Sequence, residues 1–388
     1  MKRSESRILT THVGSLPRPT DLIAMVRAQI RGEAVDAAAY AACLRKSVAD
    51  IVTRQRTLGI DIPDDGEHGK PSYVSYANDR LGGFTPREQK GETRSPWLGS
   101  REALTFPDYY AEQLLGASST HKRLVCTGPV TYKGHAQLKA DLDNLKAATA
   151  GHHFADVFVP SVSPASFEDW NRNEYYKTPE EYVVALGEAM REEYKGILEA
   201  GFLLQIDDPR LVTHYMLHPD ESVQDCRKWA QLRVEALNHA LRGLPRERIR
   251  YHTCYGINIG PRVHDMELKD VIDVILEIEA GAYSFEAANP RHEHEWAVWK
   301  DAELPDGAIL IPGVITHSTV LVEHPELVAQ RIVRFAQAVG RENVIAGTDC
   351  GFATFAGADE IHASIVWAKF EALVKGAEIA SRELWGRS

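Results

Sequence analysis

A single (β/α)8 TIM barrel is the α/β fold this sequence predicts, on three observations. Eight short segments rich in β-branched or apolar residues recur along the chain, helical stretches separate most of them, and those stretches carry clear start and stop signals. A length of 388 residues with 44% hydrophobic content admits either two domains or one barrel. The strand–helix alternation favours one barrel, read as a single catalytic unit over residues 1–388.

The first strand is expected at residues 8–15. A helix over 36–58, stopped by Gly59, leads to the second strand at 60–67. The alternation then breaks. The stretch from His68 to Leu124 is rich in Gly, Pro and charge, as in Gly82-Gly83-Phe84-Thr85-Pro86-Arg87-Glu88, and 124–132 reads as a ninth strand before a helix near 137–148. This region, about 68–135, is expected to form an inserted hairpin and lid before the third barrel strand at 156–163. Thr178-Pro179-Glu180-Glu181 supplies an N-cap, a proline at the first helical position and the glutamate of a capping box, and Gly201 ends that helix. The fourth strand follows at 203–208, a helix at 222–242 closes at Gly243, and the fifth strand occupies 249–255. A helix at 268–280 stops at Gly281, the sixth and seventh strands lie at 282–287 and 309–315, and a helix from His324-Pro325 to Gly340 precedes the eighth at 343–350.

Composition narrows the function. The formal charge of -11 comes from 44 basic and 55 acidic residues with no long basic run, which argues against nucleic acid or an anionic membrane and for a small-molecule partner. The five cysteines are scattered and odd in number, unlike a secreted disulfide framework, so a reducing cytoplasm suits them. No apolar h-region follows Lys2, Arg3 and Arg7, and no run approaches the ~18 apolar residues of a membrane span. The helix faces carry no clean dimer signature, and a homo-oligomer stays open.

Chemistry concentrates at expected strand ends. His252 and Cys254 stand two apart in His252-Thr253-Cys254 and therefore share one strand face, while Cys350 closes the last strand in Asp349-Cys350-Gly351. Imidazole and thiolate are zinc ligands, and a catalytic site keeps one exchangeable position. Glu286, ending the strand between them, suits that position, so His252, Cys254, Glu286 and Cys350 are expected to hold Zn2+ at the mouth of the barrel. Cys43, Cys126 and Cys226 read as structural. His292 and His294 resemble a second metal cluster, but their spacing in a charge-rich stretch suits a solvated loop.

The ordered motifs His12-Val13-Gly14-Ser15-Leu16-Pro17, Gly66-Glu67, Gln205-Ile206-Asp207-Asp208-Pro209, His252-Thr253-Cys254, Phe285-Glu286, Pro312-Gly313-Val314 and Asp349-Cys350-Gly351 span nearly the whole chain. In them the sequence resembles the cobalamin-independent methionine synthase family, specifically its catalytic C-terminal barrel and short single-barrel relatives. The resemblance implies zinc on the same four residues. It also implies that Ser15, Glu67 and Asp207 hold the amino-acid end of a thiol such as homocysteine, and that His317 serves the chemistry. Glu67 and Asp207 would equally suit rim ion pairs, and His317 a capping role.

The expected reaction is alkyl transfer to sulfur: a thiol activated at zinc attacks a methyl or other alkyl carbon while His317 delivers a proton to the leaving group. Two segments, Thr127-Gly128-Pro129-Val130-Thr131 and Pro160-Ser161-Val162-Ser163-Pro164, could align with the family's folate region, yet neither is followed by its Asn-Trp pattern, so the alkyl donor stays open. A competing reading is thiol alkylation like that of the epoxyalkane:coenzyme M transferases, with Arg18, Lys70, Arg210 and Arg262 as a sulfonate cradle. A third is a non-catalytic zinc-binding barrel. Tyr73 and Tyr76 suit either pocket lining or packing, and Trp296 and Trp299 read as packing anchors.

Overall fold

The computed structural model describes residues 1–86, 97–114, 124–256, 260–357 and 361–386. In chain order its strands are β1 (Leu9–Thr10), β2 (Leu81–Pro86), β3 (Leu124–Tyr132), β4 (Phe158–Val162), β5 (Arg172–Asn173), β6 (Leu203–Asp207), β7 (Ile249–Thr253), β8 (Ala282–Phe285), β9 (Ile309–Ile315) and β10 (Ile345–Thr348). Seven of them form one parallel sheet in the order β1-β10-β9-β8-β7-β6-β4. Every residue of these seven strands is buried, as helices on one face and packed side chains on the other require of a parallel sheet.

The second expected strand, 60–67, is not a regular strand. Ile62 makes one parallel bridge to Thr11, and Pro63 O accepts from Phe158 N–H at 3.1 Å, so the segment touches both edge strands of the sheet. Its ladder stops there for local reasons. Pro63 has no N–H to give, and Asp64 and Asp65 then turn the backbone on themselves, accepting from Gly66 N–H at 2.7 Å and Glu67 N–H at 2.8 Å. The first strand is likewise shorter than expected, leaving residues 11–15 as a loop at the strand ends.

Helix punctuation follows the local chemistry. Thr178 Oγ1 accepts from Glu181 N–H with Pro179 at the first position, Ser222 and Asp225 form a capping box, and Gly59 ends its helix with φ 91°. The helix expected at 268–280 is instead a 3-10 turn, Leu268–Asp270, and a short helix, Ile272–Leu276. Among the described residues no helix is long and apolar enough to cross a membrane.

Within the insertion, β2 pairs antiparallel with β3, and β3 pairs in parallel with β5. Residues 87–96, including Arg87 and Glu88, and 115–123 lie outside the described residues. This small sheet is fastened to the helix Pro179–Glu199, which packs on the parallel sheet, by one buried carboxylate. Glu193 accepts from Tyr76 OH at 2.7 Å, Ser161 Oγ at 2.9 Å, Arg80 Nη1 at 2.9 Å and Tyr132 OH at 2.8 Å. Burial opposes its ionisation, but the Arg80 guanidinium and the Tyr76 hydroxyl outweigh burial and hold its pKa below the usual value. Glu193→Gln keeps the shape and loses the charge, and is expected to cost about 2 kcal/mol. Urea unfolding should show a lower midpoint at unchanged slope.

Candidate metal centre and substrate pocket

Parallel pairing brings the chemistry to one rim. Asp207 is the register partner of His252, and His252 of Ser284, so three adjacent strands deliver these side chains side by side. Cys254 and Cys350 lie just beyond the ends of β7 and β10. Their sulfurs are 3.4 Å apart with no disulfide, and the ligand atoms of His252, Cys254 and Cys350 all lie within 4.8 Å of one another. Two thiolates on a tetrahedral zinc at about 2.3 Å would stand roughly 3.8 Å apart. A small relaxation therefore reaches that geometry.

The buried trio fits a metal on a second count. His252 Nε2 has no hydrogen-bond partner among the described residues, while Nδ1 faces Ser284 Oγ at 3.3 Å. That contact can fix the tautomer and leave Nε2 as a lone pair, the usual arrangement for a metal-binding histidine. Burial, reinforced by Arg250 and His317, pushes the His252 pKa down to about 3, which keeps the ring neutral.

Glu286 does not join this trio. Its Oε1 accepts from Tyr255 N–H at 2.8 Å, its Oε2 from Asn289 Nδ2 at 2.7 Å, and Arg262 Nη1 lies 2.9 Å from Oε2. The carboxylate sits at the expected strand end but is engaged by its own rim. Arg262 is itself held by Asp265 at 2.8 Å and carries a positive φ of 57°. Beside them, Asp349 Oδ1 accepts from Ala287 N–H at 2.7 Å and Ala288 N–H at 2.8 Å, joining the last strand end to the loop after β8.

Ser15 lies against Gly351, beside Cys350, and Glu67 acts on Asp207 through its charge. Gly351 allows Ser15 to approach, since a Cβ at 351 would collide with Ser15 Oγ; a Cβ at Gly14 would come within 2.5 Å of Glu67 Oε1. Ser15 Oγ lies 3.3 Å from Thr354 Oγ1. Glu67 is buried at φ 55°, its Oε2 has no hydrogen bond, and Lys70 Nζ lies 3.8 Å away. Asp207 Oδ1 accepts from Gln205 Nε2 at 2.7 Å. Burial raises the pKa of both carboxyls, and the charge of Glu67 raises that of Asp207 further. A cation seated between them would relieve that cost.

The four basic residues expected near the mouth are committed elsewhere. Arg18 donates to the carbonyls of Ala353 at 2.7 Å, Glu67 at 2.7 Å and Lys70 at 2.9 Å. Lys70 Nζ donates to Pro160 O at 2.6 Å, Arg210 to Asp169 at 2.6 Å, and Arg262 faces Glu286 and Asp265. His317 is fully buried, and neither ring nitrogen has a hydrogen-bond partner among the described residues. Burial takes its pKa down to about 4 although Asp349 acts in the opposite direction, so the resting ring is neutral.

Burial raises the Tyr73 pKa, with Arg210 acting against it, whereas Tyr76 belongs to the Glu193 network. Trp97, from the insertion, packs over Gly256, where a Cβ would meet its ring at 3.3 Å. Trp299 is buried and stacks on Phe285 with ring centroids 4.6 Å apart, an anchor as expected.

His292 and His294 form no metal cluster, nor a wholly solvated loop. His294 is exposed; His292 is buried between Asp265 Oδ2 at 3.0 Å and Glu295 Oε2 at 2.8 Å and stacks on Tyr255. Burial opposes its charge, but Asp265 and Glu295 raise its pKa to about 9, with Glu286 adding to the effect. Because the folded pKa lies above the unfolded one, this ion pair stabilises fully below pH ~6.5 and is lost as pH rises through ~9. His292→Gln is therefore expected to cost roughly 2 kcal/mol at pH 6 and far less at pH 10, read from thermal midpoints across that range.

Several residues escaped the sequence reading. Arg250 shares the face of β7 with His252 and Cys254, donates to Thr11 Oγ1 at 3.0 Å and His12 O at 2.7 Å, and faces Asp207 and Asp64 electrostatically. Alternation along the strand was the signal that could have found it. Arg262 was expected only as part of a sulfonate cradle and Asp349 only as a motif neighbour of Cys350; their partners, Glu286 and the backbone of Ala287 and Ala288, carried no local signal.

Comparison with known proteins gives the family and the fold. Residues 8–151 and 164–368 match the model of a family described as cobalamin-independent synthase, catalytic domain. A methionine synthase of Thermococcus kodakarensis is 25% identical over 376 residues, covering 97% of this chain and 94% of that protein. One from Saccharolobus islandicus is 26% identical over 378 residues, covering 97% and 95%. Among solved structures, a B12-independent methionine synthase from Shewanella sp. in complex with selenomethionine superposes with a TM-score of 0.72 at 19% identity, covering 98% of this chain and 99% of that one. A putative vitamin-B12 independent methionine synthase from Listeria monocytogenes gives 0.67 at 18%, covering 96% and 98%.

Proposed function

Since the chain belongs to the cobalamin-independent synthase catalytic-domain family, we propose that it is a zinc-dependent methyltransferase that alkylates the sulfur of homocysteine. Residues 1–388 act as one catalytic unit, with the segment at 60–67 taking the eighth place in the barrel. His252, Cys254 and Cys350 would hold zinc, and Glu286 would serve as the exchangeable carboxylate only by leaving Tyr255 N–H, Asn289 and Arg262. Bound there, zinc supplies the Lewis acidity that makes a thiolate available near neutral pH.

The chain's own residues do the rest. Glu67 and Asp207 grip the substrate ammonium, and Ser15 with the backbone N–H groups of the Gly351 loop takes its carboxylate. This fixes the sulfur against the His252 face and away from water. His317, neutral by burial, offers a ring N–H toward the leaving group of the methyl donor. Trp97 and Tyr73 bound the side from which that donor arrives.

One observation supports the choice of thiol: neither buried carboxylate is hydrogen-bonded to an arginine, Arg250 reaching Asp207 and Arg18 reaching Glu67 only through charge, while Lys70, 3.8 Å from Glu67, donates to Pro160 O and Arg210 and Arg262 are paired with Asp169 and Glu286. A sulfonate such as that of coenzyme M would find repulsion. Calorimetric titration of the zinc-loaded protein tests this, with homocysteine expected to release about one proton and to bind at least tenfold more tightly than coenzyme M. Preference for coenzyme M, or silence toward every small thiol, would overturn the proposal.

A further inference from the structure

A second cluster of metal-ligating side chains stands apart from the first. His214 lies in the helix Arg210–Leu217, His218 caps that helix, and Glu221 precedes the helix Val223–Leu241. Their ligand atoms all lie within 4.8 Å of one another, and none of these residues belongs to the centre described above. Two histidines four apart on a helix share one face, which lets both imidazoles meet one ion.

The hydrogen bonding prepares these rings as ligands. His218 Nδ1 is 2.9 Å from His214 O, and a carbonyl only accepts, so Nδ1 carries the proton and Nε2 is left as a lone pair. His214 is buried, stacked between His218 at 3.8 Å and Trp229 at 3.9 Å, with Nε2 3.0 Å from Glu221 Oε2 and Nδ1 lacking any hydrogen-bond partner among the described residues. An ordinary histidine–glutamate cap would leave that buried nitrogen bare and the two rings stacked without a shared task. The turn itself is held: Arg101 donates to Tyr215 O at 2.8 Å, to His218 O at 3.1 Å and to Glu221 O.

We propose that His214, His218 and Glu221 form a second site for a divalent transition ion of the zinc class, clamping the end of one helix to the start of the next. Two imidazoles and a carboxylate select zinc, cobalt or nickel over calcium or magnesium. Cys226, whose thiol lies 3.7 Å from Glu221 Oε2, borders the ligand set. Burial first, then the charges of His218, Arg210 and Arg233, keep His214 neutral, which suits a ligand, and the two arginines make this the weaker of the two sites.

Metal content and cobalt spectra of the whole protein test the proposal independently of the methyl-transfer reading. Loaded with Zn2+ and freed of loose metal, the protein is expected to retain two equivalents, and His218→Gln one, with homocysteine binding unchanged. In Cys254→Ser/Cys350→Ser protein, added Co2+ should give ligand-field bands without thiolate-to-cobalt charge transfer, and these bands should vanish when His218→Gln or Glu221→Gln is added. Absence of such bands in the double-serine protein, or their persistence after both further substitutions, would overturn the second site.

Discussion

Cys350→Ser is expected to lower the methyl-transfer rate by roughly a thousandfold, about 4 kcal/mol in the barrier. The sulfur of Cys350 lies 3.4 Å from that of Cys254 and completes a soft ligand pair beside His252. A serine hydroxyl is a hard, poorly ionised ligand, so the substitution weakens both metal retention and thiol activation. Zinc content after dialysis should fall together with turnover. Cys43→Ser, on the helix Ala37–Leu58 far from the rim motifs, serves as the control and should change neither. A Cys350→Ser protein with full zinc and full rate would remove the proposed centre.

The double substitution Glu67→Gln/Asp207→Asn should act on binding. Each carboxylate contributes a charge-assisted hydrogen bond to the substrate ammonium of about 1.5–3 kcal/mol, so KM for homocysteine should rise by about a hundredfold or more. Stability should move the other way. Both groups are buried and repel one another, and neutral amides relieve that cost by about 1 kcal/mol, visible as a higher thermal midpoint of the substrate-free protein. A thiol lacking the amino group separates the roles. Its affinity should be nearly equal for the two proteins; a parallel loss would show that these residues merely shape the pocket.

Much of this arrangement was readable in the residues because the relevant physics is local. Period-two spacing put His252 and Cys254 on one face, and the apolar runs at 156–163, 203–208, 249–255 and 309–315 each contain a buried parallel strand. The segment at 60–67 defeated the same logic. Its apolar start resembled a strand, but Pro63 and the two aspartate turns take the backbone out of the ladder before Glu67. The long-range partners were invisible for another reason: nothing local reports that Arg262 meets Glu286, that the charge of Arg250 acts on Asp207, or that His292 meets Asp265. Such pairings arise only when distant segments pack.

The pairing of β1 with β10 has a consequence for biogenesis. Leu9 and Thr10 find their ladder partners in Ile345 and Ala346, and Ser15 contacts Thr354 from the far end of the chain. At about 5–20 residues per second, a ribosome leaves that side of the nascent amino-terminal strand unmatched for roughly 20–70 s. Until the last strand emerges no truncated product can assemble the thiol pocket, so premature termination anywhere before it yields chains for chaperones and proteases rather than partly active enzyme.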